Sequence, residues 1–133
     1  MSNLLYDAFF TANSIEELEP LLKAGNCEAL NIEWKSSTSE LKSAMRTLCA
    51  FLNHKGGIAL IGVKDNGTIL GQEVADKTKR EIANELEKFE PYPHSQVTYL
   101  PISTSKWIIK FMAIPEHKAI AYVYDGRAYI RYE

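Results

Sequence analysis

Six consecutive positions, Ile58-Ala59-Leu60-Ile61-Gly62-Val63, carry no polar side chain, and no other stretch constrains the fold as strongly. Side chains alternate across a strand, so a run that is apolar at every position needs cover on both faces. It predicts a central strand with structure packed above and below. Gly56-Gly57 precede the run and Asp65-Asn66-Gly67 follow it. The second group is a tight-turn signal, because Asn and Gly accept positive φ. Thr68-Ile69-Leu70-Gly71 is then expected to return as a hairpin partner.

The flanking sequence supplies neighbours for that strand. Residues 30–35 alternate Leu30, Ile32 and Trp34 with Asn31, Glu33 and Lys35, the period of a half-buried strand, so Glu33 and Lys35 share a face. From Ser39, the apolar positions Leu41, Ala44, Met45, Leu48, Cys49 and Leu52 recur at helical spacing and stop before His54. Ser14 with Glu17 forms a capping box, and Gly25 is a candidate C-cap, for a helix over 15–24 that Pro20 starts late or bends. An earlier turn or two is expected between Leu4 and Phe10. Asp76 is expected to cap a helix running to Glu90 and stopped by Pro91 and Pro93. Val97–Leu100, Trp107–Ile114 and Ala119–Tyr124 read as strands, the last turning at Asp125-Gly126 into Ala128–Tyr132. The expected class is α/β (α+β): one domain over 1–133, a mixed and largely antiparallel sheet, and about three helices. Residues 1–27 are expected to form an N-terminal helical extension to it.

Composition narrows the function classes. At 133 residues, 46% hydrophobic and 24% charged, the chain suits one domain with a real core. The N-terminus lacks a basic segment before its apolar stretch, and the longest apolar runs fall far below membrane-spanning length. A cytoplasmic protein with no membrane partner is the expectation. Cys27 and Cys49 are too few for a disulfide framework or a structural zinc site. Gly56-Gly57 lacks the frame of a P-loop. Net charge is −2, but residues 1–33 carry −5 and the remainder +3. Lys35, Lys42, Arg46 and Lys55 bracket the second helix, either as a modest phosphate-contacting surface or as an ordinary solvated face.

One constellation stands out against this background: Glu28-x4-Glu33-x-Lys35, and Asp65 thirty residues after Lys35. Carboxylates hold hard divalent cations, and an ammonium offsets charge developing on a phosphate. Five residues cannot put Glu28 and Glu33 on one face of a continuous strand, so Glu28 has to arrive from the preceding turn. Each member also has a plain reading. Glu33 and Lys35 suit the solvent face of a strand, and Asp65 is a favoured turn residue. Asn53 and Gly56-Gly57 read as a helix C-cap and tight loop, with phosphate binding through loop N–H groups as the second role. His94 and His117 fall in expected loops and receive no role. Trp34 and Trp107 are expected in the core, and Tyr92, Tyr122, Tyr124 and Tyr129 leave base stacking open.

The string Ala50 to Gly67, AFLNHKGGIALIGVKDNG, preceded by Glu28 and Glu33-Trp34-Lys35 and closed by Tyr129-Ile130-Arg131, resembles the Schlafen AlbA-type domain, also labelled a divergent AAA-type DNA- or ATP-binding domain. The match runs from about Glu28 to Arg131. His54 departs from it, standing where the family has a small polar residue.

The resemblance implies two classes of function. Some members are described as ATP-binding or transcription-regulatory modules. Others are metal-dependent endoribonucleases that cut structured RNA such as tRNA, and their active residues fall here on Glu28, Glu33, Lys35 and Asp65. Glu28, Glu33 and Asp65 would hold Mg²⁺ or Mn²⁺, with Lys35 as electrostatic stabiliser. A non-catalytic ATP-, DNA- or RNA-binding module, with Asn53, Gly56 and Gly57 as candidate cofactor contacts, is the alternative. Because the family's RNA-cradling groove lies between two such lobes and this chain supplies one, a homodimer is expected. Its candidate surface is the strand edge near Ala119–Tyr132.

Overall fold

A computed structural model describes residues 4–23, 31–116 and 121–130. The elements in order are α1 (Leu4–Thr11), α2 (Ile15–Leu22), β1 (Ile32–Lys35), a 3-10 turn (Thr38–Glu40), α3 (Leu41–Leu52), β2 (Gly57–Ile61), α4 (Asp76–Leu86), β3 (Phe89–Glu90), β4 (Ser95–Pro101), β5 (Trp107–Ala113) and β6 (Val123–Tyr124). They form a mixed α+β domain with a four-stranded sheet ordered β1-β2-β5-β4 and a small β3-β6 ribbon. β1 and β2 are parallel, joined by the α3 crossover, while β2-β5 and β5-β4 are antiparallel. No helix among the described residues is long and apolar enough to cross a membrane.

The central-strand expectation holds, since all five residues of β2 are buried. Its alternate side chains feed two cores. Ala59 and Ile61 join Ile109 and Phe111 under α3 and α4, whereas Ile58 and Leu60 join Ile32, Ile108 and Met112 under α1 and α2. The sheet is therefore the middle of three layers. Trp34 packs, partly buried, against the α1–α2 core, as expected.

Local chemistry explains the helices. Ser14 Oγ accepts from Glu17 N at 3.3 Å, so Ser14 caps the helix as expected, while Glu17 Oε1 reaches one residue further back, to Asn13 N at 3.3 Å, and not to the N–H of Ser14 that a full capping box requires. Pro20 lies inside α2. The expected C-cap Gly25 lies outside the described residues. In α3, Leu41, Ala44, Met45, Leu48, Cys49, Phe51 and Leu52 are buried, so the stripe read from the sequence is the face laid on the sheet.

Four expectations are corrected. Thr68–Gly71 forms no strand beside β2, because β1 and β5 already occupy both of its edges. Only the Val63–Ile69 bridge forms, and the chain crosses to β5 at the Gln72–Trp107 bridge. The fourth helix ends at Leu86 rather than Glu90. Phe89 and Glu90 pair instead with Tyr124 and Val123, with the Phe89 and Tyr124 rings 5.0 Å apart. Ala75, not Asp76, is the N-cap residue, its N–H donating to Thr78 Oγ1 at 3.1 Å. Finally, Asp125 and Gly126 take positive φ at a tight turn, but 128–130 do not continue it as a strand and 131–133 lie outside the described residues. Val123–Tyr124 pairs along one edge with β3, and residues 119–120 and 131–132 of the expected docking surface lie outside the described residues.

One buried cation was missed. Lys110, in mid-β5 and 1% exposed, donates to the carbonyls of Phe9, Phe10 and Ala12 at 2.6, 2.9 and 2.9 Å. It closes the C-terminus of α1, where the helix leaves carbonyls unpaired. Burial lowers its pKa, against the opposing charge of Glu17.

Candidate functional site on the edge strand

β1 places Glu33 opposite Ala59 and Lys35 opposite Ile61, and those partners belong to the core beneath α3. Glu33 and Lys35 therefore share the α3 side of an edge strand, as the alternation predicts. Both are half-buried rather than fully solvated. Glu33 Oε2 accepts a hydrogen bond from Thr47 Oγ1 on α3 at 3.0 Å. That contact fixes the carboxylate's orientation, and Thr47 was invisible in the sequence because its role depends on how α3 crosses β1. Among the described residues no carboxylate lies within ion-pair distance of Lys35.

The carbonyl of Lys35 accepts from Gly62 N at 2.8 Å and Val63 N at 3.1 Å, so the chain just past β2 is tied to the end of β1. Asp65 follows two residues later, exposed, in a turn closed by Lys64 N to Thr68 O and Gly67 N to Lys64 O, both 2.8 Å. Gly67 is required there. Its φ is +89°, and a Cβ would stand 2.9 Å from the Leu22 carbonyl. The turn thus leans on α2, on the opposite side of the sheet from Thr47. Lys35 and Asp65 share one end of the β1-β2 pair, within about 7 Å of chain from the Val63 tie. Among the described residues no three His, Cys, Asp or Glu side chains converge as a metal group. Glu28 lies outside the described residues.

Asn53, Gly56 and Gly57 are engaged structurally. Asn53 Oδ1 accepts from Tyr122 N at 2.6 Å, and its Nδ2 donates to the carbonyls of Tyr122 and Tyr129, both at 2.9 Å. It clips the C-terminal segment to the end of α3. The N–H groups of Asn53, His54 and Gly56 all bond back to α3 carbonyls at 2.8 to 3.1 Å, so the loop turns its donors inward. Gly56 has φ +89° with the Ala113 carbonyl 2.7 Å from where a Cβ would be. His54 Nδ1 lies 2.8 Å from Asn31 Nδ2, which also donates to Gly56 O at 2.8 Å. His54 therefore accepts in that pair.

Tyr122 and Tyr124 are each 2% exposed, which removes them as stacking platforms, and Tyr129 packs against the core. Tyr92, 61% exposed, is the one of the four at the surface. Tyr124 OH instead donates to Glu85, whose other oxygen takes Lys88 Nζ at 2.8 Å. Burial alone would raise the Glu85 carboxyl, but the hydrogen bonds from Lys88 and Tyr124, with the Lys88 and Lys42 charges, hold it below the usual range. Burial and Glu85 push the Tyr124 phenol upward. Because the folded Glu85 pKa is depressed, its contribution to stability is full above the unfolded carboxylate value, about 4.3. It is lost as pH falls through the lower folded value. Glu85→Gln is expected to flatten the acid limb of a stability-versus-pH curve measured by urea unfolding from pH 7 to 3. An unchanged limb would show that Glu85 does not set it.

The fold and the edge-strand site define a small mixed α+β module rather than a Rossmann or P-loop protein. The Schlafen, AlbA_2 family model matches residues 28–133, and the chain belongs to that family. The solution structure of the N-terminal domain of a RecG-related protein from Nitrosomonas europaea is similar at 26% identity, covering 92% of this chain and 90% of that one, with a TM-score of 0.60. A crystal structure of a protein from Corynebacterium diphtheriae shares the fold at 12% identity, covering 84% of this chain and 23% of that one, with a TM-score of 0.52.

Proposed function

We propose that this chain is a nucleic-acid-handling domain that meets the phosphate backbone with the Glu33/Lys35 face of β1. The observation that carries the reading is the placement of an oriented carboxylate and a lysine side by side on one edge-strand face. The Nitrosomonas neighbour belongs to a protein named for its relation to an ATP-dependent DNA helicase, which supports nucleic acid as the partner. Within that class, the finer proposal is a metal-dependent endoribonuclease acting on structured RNA such as tRNA.

Carboxylates are the right donor class for Mg²⁺ or Mn²⁺; Glu33 and Glu28 would hold the ion, and Asp65, whose turn leans toward α2, would join them only by turning back across the end of the β1-β2 pair. A bound ion there would supply Lewis-acid assistance at the scissile phosphate. Thr47 keeps the Glu33 carboxylate from swinging away, and Lys35 offsets negative charge building on the phosphate oxygens.

The deciding experiment incubates the protein with tRNA, single-stranded RNA and duplex DNA under Mg²⁺ and Mn²⁺, and measures binding to each by fluorescence anisotropy. Glu33→Gln, which removes a carboxylate proposed to hold the ion, and Lys35→Met, which removes the electrostatic stabiliser, are each expected to slow cleavage by about 10²-fold or more. Lys35→Met should also lower the salt slope of binding by about one unit. Intact RNA under both metals with binding retained would leave a non-catalytic binding module. Loss of neither binding nor salt slope in Lys35→Met would remove the strand face from the site.

A further inference from the structure

β4 runs seven residues, Ser95-Gln96-Val97-Thr98-Tyr99-Leu100-Pro101, at the edge of the sheet. It pairs only with β5 among the described residues. Edge strands in soluble proteins are usually short or guarded by charge, most often lysine. This one has no charged residue at all.

The direction of its free backbone groups follows from the ladder. Trp107 spends both its N–H and its carbonyl on Gln72, at 2.9 and 2.7 Å, so the Pro101–Trp107 pair carries no β4-β5 hydrogen bonds. Bonding alternates along an antiparallel pair. Leu100, Thr98 and Gln96, opposite Ile108, Lys110 and Met112, therefore bond inward. Ser95, Val97, Tyr99 and Pro101 turn their backbone groups outward. The bond from Ile114 N to His94 O at 3.3 Å fits the same alternation.

We infer that β4 pairs antiparallel with β4 of a second copy of this chain about a two-fold axis through Thr98, giving one continuous eight-stranded sheet. In that register Val97 meets Tyr99 of the other copy, and each pair exchanges two backbone hydrogen bonds. Ser95 N–H meets the Pro101 carbonyl, so proline's missing donor falls at the end of the ladder, where it costs least. The side chains match too. Val97 and Tyr99 lie on one face and make two aromatic/β-branched cross-strand pairs, a favourable combination. Thr98 meets itself at a non-hydrogen-bonded position, where paired side chains come closest. Within β4 itself no like charges are opposed, and the nearby Lys79 Nζ is engaged over the Tyr99 ring at 5.3 Å. Antiparallel pairing about this axis keeps the α3 side of both copies on the same face, so both Glu33/Lys35 faces look the same way. The two β1 strands would stand about 34 Å apart, seven strand spacings.

Light scattering coupled to size exclusion, and sedimentation equilibrium across a concentration series, are expected to give a dimer for the unmodified chain. Thr98→Lys, which sets two ammonium groups face to face at a half-buried surface position, should weaken it at least tenfold with the far-UV circular dichroism unchanged. Thr98→Cys should form a covalent dimer on mild oxidation, since opposed Cα atoms about 4.5 Å apart suit a disulfide. Gln96→Cys should not, because the other copy's Leu100 stands opposite. A monomer at concentrations up to about 100 µM, where a specific weak dimer would already be populated, would overturn the proposal. So would a dimer indifferent to Thr98→Lys, or equal cross-linking by both cysteine variants.

Discussion

Lys110→Met is expected to lower the unfolding free energy by about 3 kcal/mol, because it removes the donor for three carbonyls at the end of α1 while keeping most of the stem's volume. A buried carbonyl left unsatisfied costs about 1–3 kcal/mol. The three losses do not simply add, since the ammonium itself is held out of water at a cost that methionine relieves. The direction of the Lys110 pKa, lowered by burial, is the sign of that cost. What remains is a helix whose last turn faces an apolar sheet with no partner for its oxygens. The loss should appear in urea unfolding and as faster proteolysis near Thr11, because α1 is held at this point. Lys110→Arg is not expected to restore stability, since a planar guanidinium cannot converge on the Phe9, Phe10 and Ala12 carbonyls as a compact ammonium does. A change below about 0.5 kcal/mol, the range of ordinary surface substitutions, would show that the cap contributes nothing net.

Lys110 also shows where a sequence is legible and where it is not. A lysine inside Trp107-Ile-Ile-Lys-Phe-Met-Ala113 is visible as a break in the apolar pattern. Its partners are about a hundred residues away in sequence, so only the tertiary fold can name them. Periodicity placed β1, β2, α3 and β5, because each has one or two faces committed to a core. It misplaced the end of α4, since Phe89 at the end of the helical stripe packs equally well as a strand residue against Tyr124. It overestimated the hairpin after Asn66-Gly67, because turn chemistry is local and the occupancy of β2's edges is not. In the candidate site, alternation gave the shared face of Glu33 and Lys35. Neither the Thr47 contact nor the tilt of the Asp65 turn toward α2 has a local signal. The uncharged stretch of β4 was readable as a strand, but its outward pairing groups follow only from the bonds Trp107 makes with Gln72.

Gly57→Ala is expected to cost about 3 kcal/mol, the upper part of the range for forcing an extra carbon into a packed interior. The added Cβ would sit 2.6 Å from the Asn31 carbonyl oxygen and closer still to the Phe51 ring. Neither obstacle yields easily. Phe51 is fully buried in the α3 core, and the Asn31 carbonyl accepts the bond from Ile58 N at 2.9 Å that starts the β1-β2 register. Asn31 is itself held in the left-handed region, φ 57°, by its side-chain bonds to Gly56 and His54. A shift at Gly57 should therefore travel into β1 and displace Glu33 and Lys35, so nucleic-acid binding is expected to weaken together with stability. Urea unfolding without any ligand separates the two roles of the glycine pair. A large loss in the ligand-free protein marks the pair as the joint that sets strand register. A variant of unchanged stability that binds nucleotide less well would instead make the loop a phosphate contact, against the inward direction of its N–H groups.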